Sequence, residues 1–152
     1  MTSQPSSSRT LVEQLLGQYL LIAGEIDMFI TVSKASYTLT TLSTTWVEKS
    51  LADKLKWYVN NLDKNVKEHQ ELIDIHNIFD RDHRPFRNVL AHSGLSFNVN
   101  EDRFEVMSAD GSAESISTDE LKQKVADLDS LNKKFNSAIA KSLSIYHKAA
   151  NK

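Results

Sequence analysis

Apolar residues recur at three- and four-residue steps along the first part of the chain, through Leu11, Leu15, Tyr19, Ala23, Ile26 and Ile30. That period predicts a helix over 10–35 with a broad apolar face, suited to the interior of a bundle. Thr10 followed by Glu13 reads as its capping box. Gly17 and Gly24 fall on nearly the same side and would let another helix approach closely. The Ser/Thr-rich run over 36–45 holds a helix poorly and predicts the connection. Thr45 with Glu48 repeats the capping pattern and opens a predicted helix over 46–63 carrying Leu51, Leu55, Tyr58 and Leu62, with Trp46 and Trp57 at its edges. Asn65 with Glu68 opens the next, over 65–79, through His69, Leu72, Ile73, His76 and Phe79.

The breaker-rich run over 80–85 predicts the end of that helix. Pro85 disfavours helical geometry at Arg84 but suits the first turn of a short helix over 85–93. Beyond it Leu95, Phe97 and Val99 alternate with polar residues, a turn follows over 100–102, and Phe104 with Val106 resume the alternation, the pattern of a small hairpin. Gly111 closes that region, and Ser117 with Glu120 opens a last helix over 118–148, roughly 45 Å long at 1.5 Å per residue. The expected fold is all-α: an antiparallel helical bundle with a small β-hairpin or extended insertion before the C-terminal helix. Residues 1–9 read as a polar disordered tail, 10–148 as a single domain and 149–152 as a frayed end.

Composition narrows the chemistry. The 152-residue chain has no cysteine, which removes disulfides, thiolate catalysis and Cys-ligated zinc. A net charge of -2 gives no overall basic footprint, so any nucleic-acid contact must come from a local cluster or from two copies of one. Residues 1–9 lack the apolar core of a secretory signal, and no uninterrupted apolar run is expected to reach membrane-spanning length. The expectation is a cytoplasmic protein that does not engage a membrane.

The short helix over 85–93 carries Arg87, Asn88 and His92, with Gly94 just beyond. Arg87 offers a planar cation suited to gripping a phosphate, and His92 exchanges a proton near neutral pH. Five helical steps separate them, an offset of about 140°, so one helix alone does not aim both at one atom. Two such helices paired across a two-fold axis would set the Arg of each beside the His of its partner. Asn88 lies four residues before His92 and could orient its ring. The C-terminal end of the helix favours the imidazolium form, and Gly94 reads as the stop. The plain alternative is that Arg87 is a surface residue and His92 a helix cap. Arg84 and His83 just upstream read as accessory contacts to RNA phosphate, against a simple solvated loop.

The Arg-Asn-x-x-x-His run closing in Ala-His-Ser-Gly, within a helical domain of this length, resembles the HEPN superfamily. The resemblance implies a small helical bundle, dimeric in many members, acting as a metal-independent endoribonuclease in toxin–antitoxin and phage-defence settings. Arg87 and His92 match the family's signature pair, and Asn88 matches the polar residue that commonly follows the Arg. A Tyr that some toxin members carry two residues after the His is replaced here by Gly94. The implied partners are an RNA substrate, a second copy of the chain and a cognate antitoxin or other partner protein, with no cofactor. Other members are non-catalytic, so the alternative is a silent module that binds RNA, a nucleotide or a protein.

His69, His76 and His83 lie at even seven-residue spacing among Asp74, Asp80 and Asp82. A metal-dependent phosphohydrolase site is one reading, but the adjacent His-Asp order of that class is absent, since Asp82 precedes His83. These residues are expected to be helix-surface and loop histidines, with no metal, so that His76→Ala changes little.

Overall fold

The structure, a computed structural model, describes residues 3–92, 94–98, 101–107 and 111–150. It is mostly helical, with one small antiparallel sheet before the C-terminal helix. The elements run α1 (Ser3–Thr38), α2 (Thr44–Val47), α3 (Leu51–Asn61), α4 (Lys67–Ile78), a π-turn (Phe79–His83), α5 (Arg84–His92), β1 (Gly94–Asn98), β2 (Arg103–Met107), β3 (Ala113–Ser117) and α6 (Thr118–Ala150). They form two compact units, one from residues 1–23 and 82–129, the other from 24–81 and 130–152.

Helix α1 begins at Ser3, well ahead of the expected cap at Thr10, so most of the expected tail is helical. Its buried positions, Val12, Leu15, Tyr19, Ala23, Ile26, Ile30, Ser33 and Tyr37, form one seam at three- and four-residue steps. By length and composition alone, Arg9–Thr38 is long and apolar enough to cross a membrane, although Glu25 and Asp27 interrupt it. One seam of that stretch is buried, with Tyr19, Ala23 and Ile30 wholly so, while Leu21, Met28 and Val32 are exposed. Leu39 ends the helix in a left-handed conformation (φ 55°) that glycine usually supplies.

The expected helix over 46–63 is two helices. Ser43 caps α2 by accepting from the Trp46 amide, and Ser50 caps α3 by accepting from the Asp53 amide. Ser50 holds extended geometry (φ -61°, ψ 155°), which breaks the helix where the apolar period alone runs through. Buried Lys54 donates to Thr31 Oγ1 and to the carbonyl of Val47, at the negative end of α2. Tyr58 packs against the rings of Trp57 and His76 and donates to the Ile30 carbonyl.

Around Pro85 the expectation was a break, and the chain instead stays helical. Pro85 has no N–H for the carbonyl four residues back, and its ring crowds that carbonyl. The wider π-turn just ahead absorbs both problems and delivers the chain directly into α5.

The hairpin is the first half of a three-stranded antiparallel sheet in the order β1-β2-β3. Phe97 pairs with Phe104, and Phe104 with Ile116. Phe104, Val106 and Ile116 are buried. β3 carries Ile116 alone on the buried side, so the alternation that revealed β1 and β2 is missing from it. Asp102, with φ 50°, turns the chain between β1 and β2 and accepts at Oδ1 from the Thr118 hydroxyl, tying the hairpin to the start of α6. Ser117 caps α6 by accepting from the Glu120 amide, as expected. Val99, Asn100 and Asp110 lie outside the described residues.

Ser50→Ala is expected to cost about 1 kcal/mol in urea-denaturation measurements. Thr45→Ala, at the exposed position where a single long helix would place its cap, is expected to stay within about 0.5 kcal/mol of the parent.

Candidate functional site

Helix α5 owes its placement to one aromatic cluster. Phe86 and Leu90, one turn apart, are buried, and Phe86 meets the Tyr19 ring edge-on at a centroid distance of 4.9 Å. Lys124 of α6 sets its ammonium 4.6 Å from the Phe86 ring centroid. Tyr19 donates its hydroxyl proton to the His83 carbonyl at 3.1 Å, and the His83 Nδ1 stands 3.0 Å from the same oxygen. A phenol has one proton, so with that proton on the carbonyl the ring presents Nδ1–H to the phenolic oxygen. The bonds close the last residue of the π-turn onto α1. Burial pushes the Tyr19 phenol up and the His83 imidazole down, with Lys124 adding to the second shift and Asp82 and Asp127 opposing it.

With Phe86 and Leu90 turned inward, Arg84, Arg87 and Asn88 are left half-buried at the surface. Arg87 Nη1 donates to Asn88 Oδ1 at 3.0 Å. Asn88 therefore steadies the guanidinium of its neighbour, a role the sequence reading gave to Asn88 only with respect to His92. His92 ends α5, and its side chain lies outside what the structure describes, as does Ser93. The expected Asn88–His92 pairing and the divergence of Arg87 from His92 rest on that side chain. Gly94, expected as a helix stop, is the first residue of β1.

His83 is 7% exposed with Nδ1 engaged, so it stands as a core hydrogen-bonding group and not as the surface loop histidine expected. The surface reading fails for the other two histidines as well. His69 is buried with Nδ1 2.6 Å from Ser142 Oγ, which also accepts from Tyr37 at 2.7 Å. His76 is 1% exposed, lies between the rings of Tyr58 and Phe135, and has no hydrogen-bond partner at either ring nitrogen among the described residues. Among the described residues no three His, Asp or Glu side chains converge on a metal-sized site. A polar residue every seventh position looks like a solvated face; here it is a seam of neutral rings.

Tyr19, Phe86 and Lys124 are the contributors that motif reading missed. A tyrosine set among aliphatic seam positions was the available signal, since a buried phenol needs a hydrogen-bond partner. Comparison with protein-family models, curated proteins and solved structures finds no match for this chain.

Burial lowers the His76 pKa from 6.5 to about 3 and lowers that of His69 too. The folded state holds these rings neutral, while the unfolded chain takes up protons below about pH 6.5. Their contribution is complete above that pH; that of His76 is lost as pH falls toward 3, by up to about 1.4 kcal/mol per pH unit. His76→Phe, which keeps a ring and removes the proton acceptor, is expected to flatten the acid limb of a stability-versus-pH curve. His76→Ala is expected to be destabilised at every pH by the cavity it leaves.

Proposed function

We propose that this chain is a metal-independent endoribonuclease of HEPN type, a helical-bundle protein acting in the cytoplasm as a toxin or as a defence or stress effector. The observation that carries the reading is the Arg87–Asn88 contact on α5. A guanidinium held in place by the next side chain, on a helix whose opposite side is anchored to Tyr19, is preorganised to receive a phosphate. Arg84, three residues earlier and also half-buried, adds a second cation close to it.

In this mechanism a ribose 2′-hydroxyl attacks the adjacent phosphorus while His92 takes its proton. The P–O5′ bond breaks, and the leaving oxygen is protonated by the His92 of a second copy or by water. Arg87 stabilises the charge that builds on the non-bridging oxygens. The products are a 2′,3′-cyclic phosphate and a 5′-hydroxyl end. A homodimer, with two α5 helices meeting across a two-fold axis, supplies both proton carriers, and a cognate antitoxin or other partner protein restrains the activity. A silent module that binds RNA, a nucleotide or a protein is the second reading. The Arg87–Asn88 clamp serves it equally, because gripping a phosphate needs no proton carrier.

Arg87→Ala and His92→Ala are each expected to lower RNA cleavage by about 10²–10⁴-fold while circular dichroism stays unchanged. RNA bound by the parent chain but never cut would leave the silent module standing. RNA affinity unchanged when both residues are replaced would remove the site altogether.

A further inference from the structure

Helix α1 has two seams. Opposite the buried one runs a second, through Gly17, Leu21, Gly24 and Met28, also at three- and four-residue steps and facing out. Leu21 is 66% exposed and Met28 51%, with Leu20 and Val32 exposed alongside. Apart from its own helical neighbours, a Cβ built on Gly17 or Gly24 would meet no atom within 4 Å, so no other described part of this chain makes the close approach those glycines permit. A seam of alternating small and large apolar residues on a helix is a packing surface, with holes and knobs already placed.

We infer that this seam is occupied by α1 of a second copy of this chain, running antiparallel about a two-fold axis. The order of residues selects the occupant. In the antiparallel register centred between Leu21 and Gly24, each Leu21 enters the gap over the partner copy's Gly24, and each Met28 the gap over its Gly17. The two-fold makes every such contact twice. The flanking residues agree with this register, which sets Glu25 across from the partner copy's Gln18 and Asp27 across from its Leu20. A parallel pairing in register would put Leu21 against Leu21 and leave the glycine gaps facing each other. It would also bring Glu25 of each copy beside Asp27 of the other. Tyr19, which anchors α5, belongs to the buried seam. The α1 pairing is therefore separate from any meeting of α5 helices and stands whether or not the chain cuts RNA.

The absence of native cysteine allows a direct test. Leu21→Cys and Gly24→Cys chains, one bearing a distinguishing tag, are mixed and mildly oxidised. The mixed disulfide is expected to exceed both self-disulfides several-fold, and Arg87→Ala in either chain is expected to leave that excess intact. Leu21→Glu with Met28→Glu, folded by circular dichroism, is expected to abolish cross-linking from the Gly24→Cys position. Self-disulfides in excess would overturn the antiparallel register, and no disulfide at either position would overturn the pairing. Sedimentation of the parent chain with phosphatidylcholine–phosphatidylglycerol vesicles, lost in the Leu21→Glu, Met28→Glu chain, would instead assign the seam to lipid and overturn the proposal.

Discussion

Everything proposed for α5 depends on one phenol. Tyr19 donates to the carbonyl at the end of the π-turn and receives the Nδ1–H of the same residue, His83. That pair of bonds fixes where α5 begins after the π-turn, and hence the direction in which Arg84, Arg87 and Asn88 leave it. A buried hydrogen bond contributes about 1 kcal/mol on balance, but a donor or acceptor left unpaired in the same place costs about 1–3 kcal/mol. The aromatic contact with Phe86 and the Lys124 ammonium over that ring complete the attachment. The positioning group thus lies in the first helix and the groups it positions in the fifth, so the π-turn and α1 are as much a part of the site as Arg87.

The other constraint is the neutral histidine seam of α4. His69 has a hydroxyl partner, while His76 sits between two aromatic rings with nothing to accept from or donate to among the described residues. A protonated ring there would be a buried charge without a counterion, which folded structure resists by shifting the pKa. His69 and His76 are therefore core residues.

What could be read from residue order follows from how each element declares itself. The α6 cap at Ser117 and the pairing of β1 with β2 were legible because capping boxes and alternation are local signals. Ser50 was missed as a break because the apolar period of 46–63 continues through it. β3 was missed because Ile116 is its one buried residue. Pro85 read as an interruption because its ring forbids an ordinary helical turn, and residue order does not announce the wider turn that accommodates it. The outward seam of α1 was visible only as breadth of a single apolar face, until burial separated the residues facing in from those facing out. At the site, the Arg87 and His92 spacing was readable, whereas the partner of Asn88 depends on side-chain rotamers, which spacing does not determine.

The central claim is that α5 presents a phosphodiester-cleaving pair that uses its own side chains for the chemistry. The most direct measurement incubates the purified chain with RNA in the presence of EDTA and reads the ends of any fragments by mass spectrometry. A matched substrate carrying a single 2′-deoxy nucleotide at the cleavage position runs alongside. The account predicts 2′,3′-cyclic phosphate and 5′-hydroxyl ends, undiminished by EDTA and absent from the 2′-deoxy substrate. Cleavage that stops on chelation, or that yields 3′-hydroxyl and 5′-phosphate ends, would contradict it.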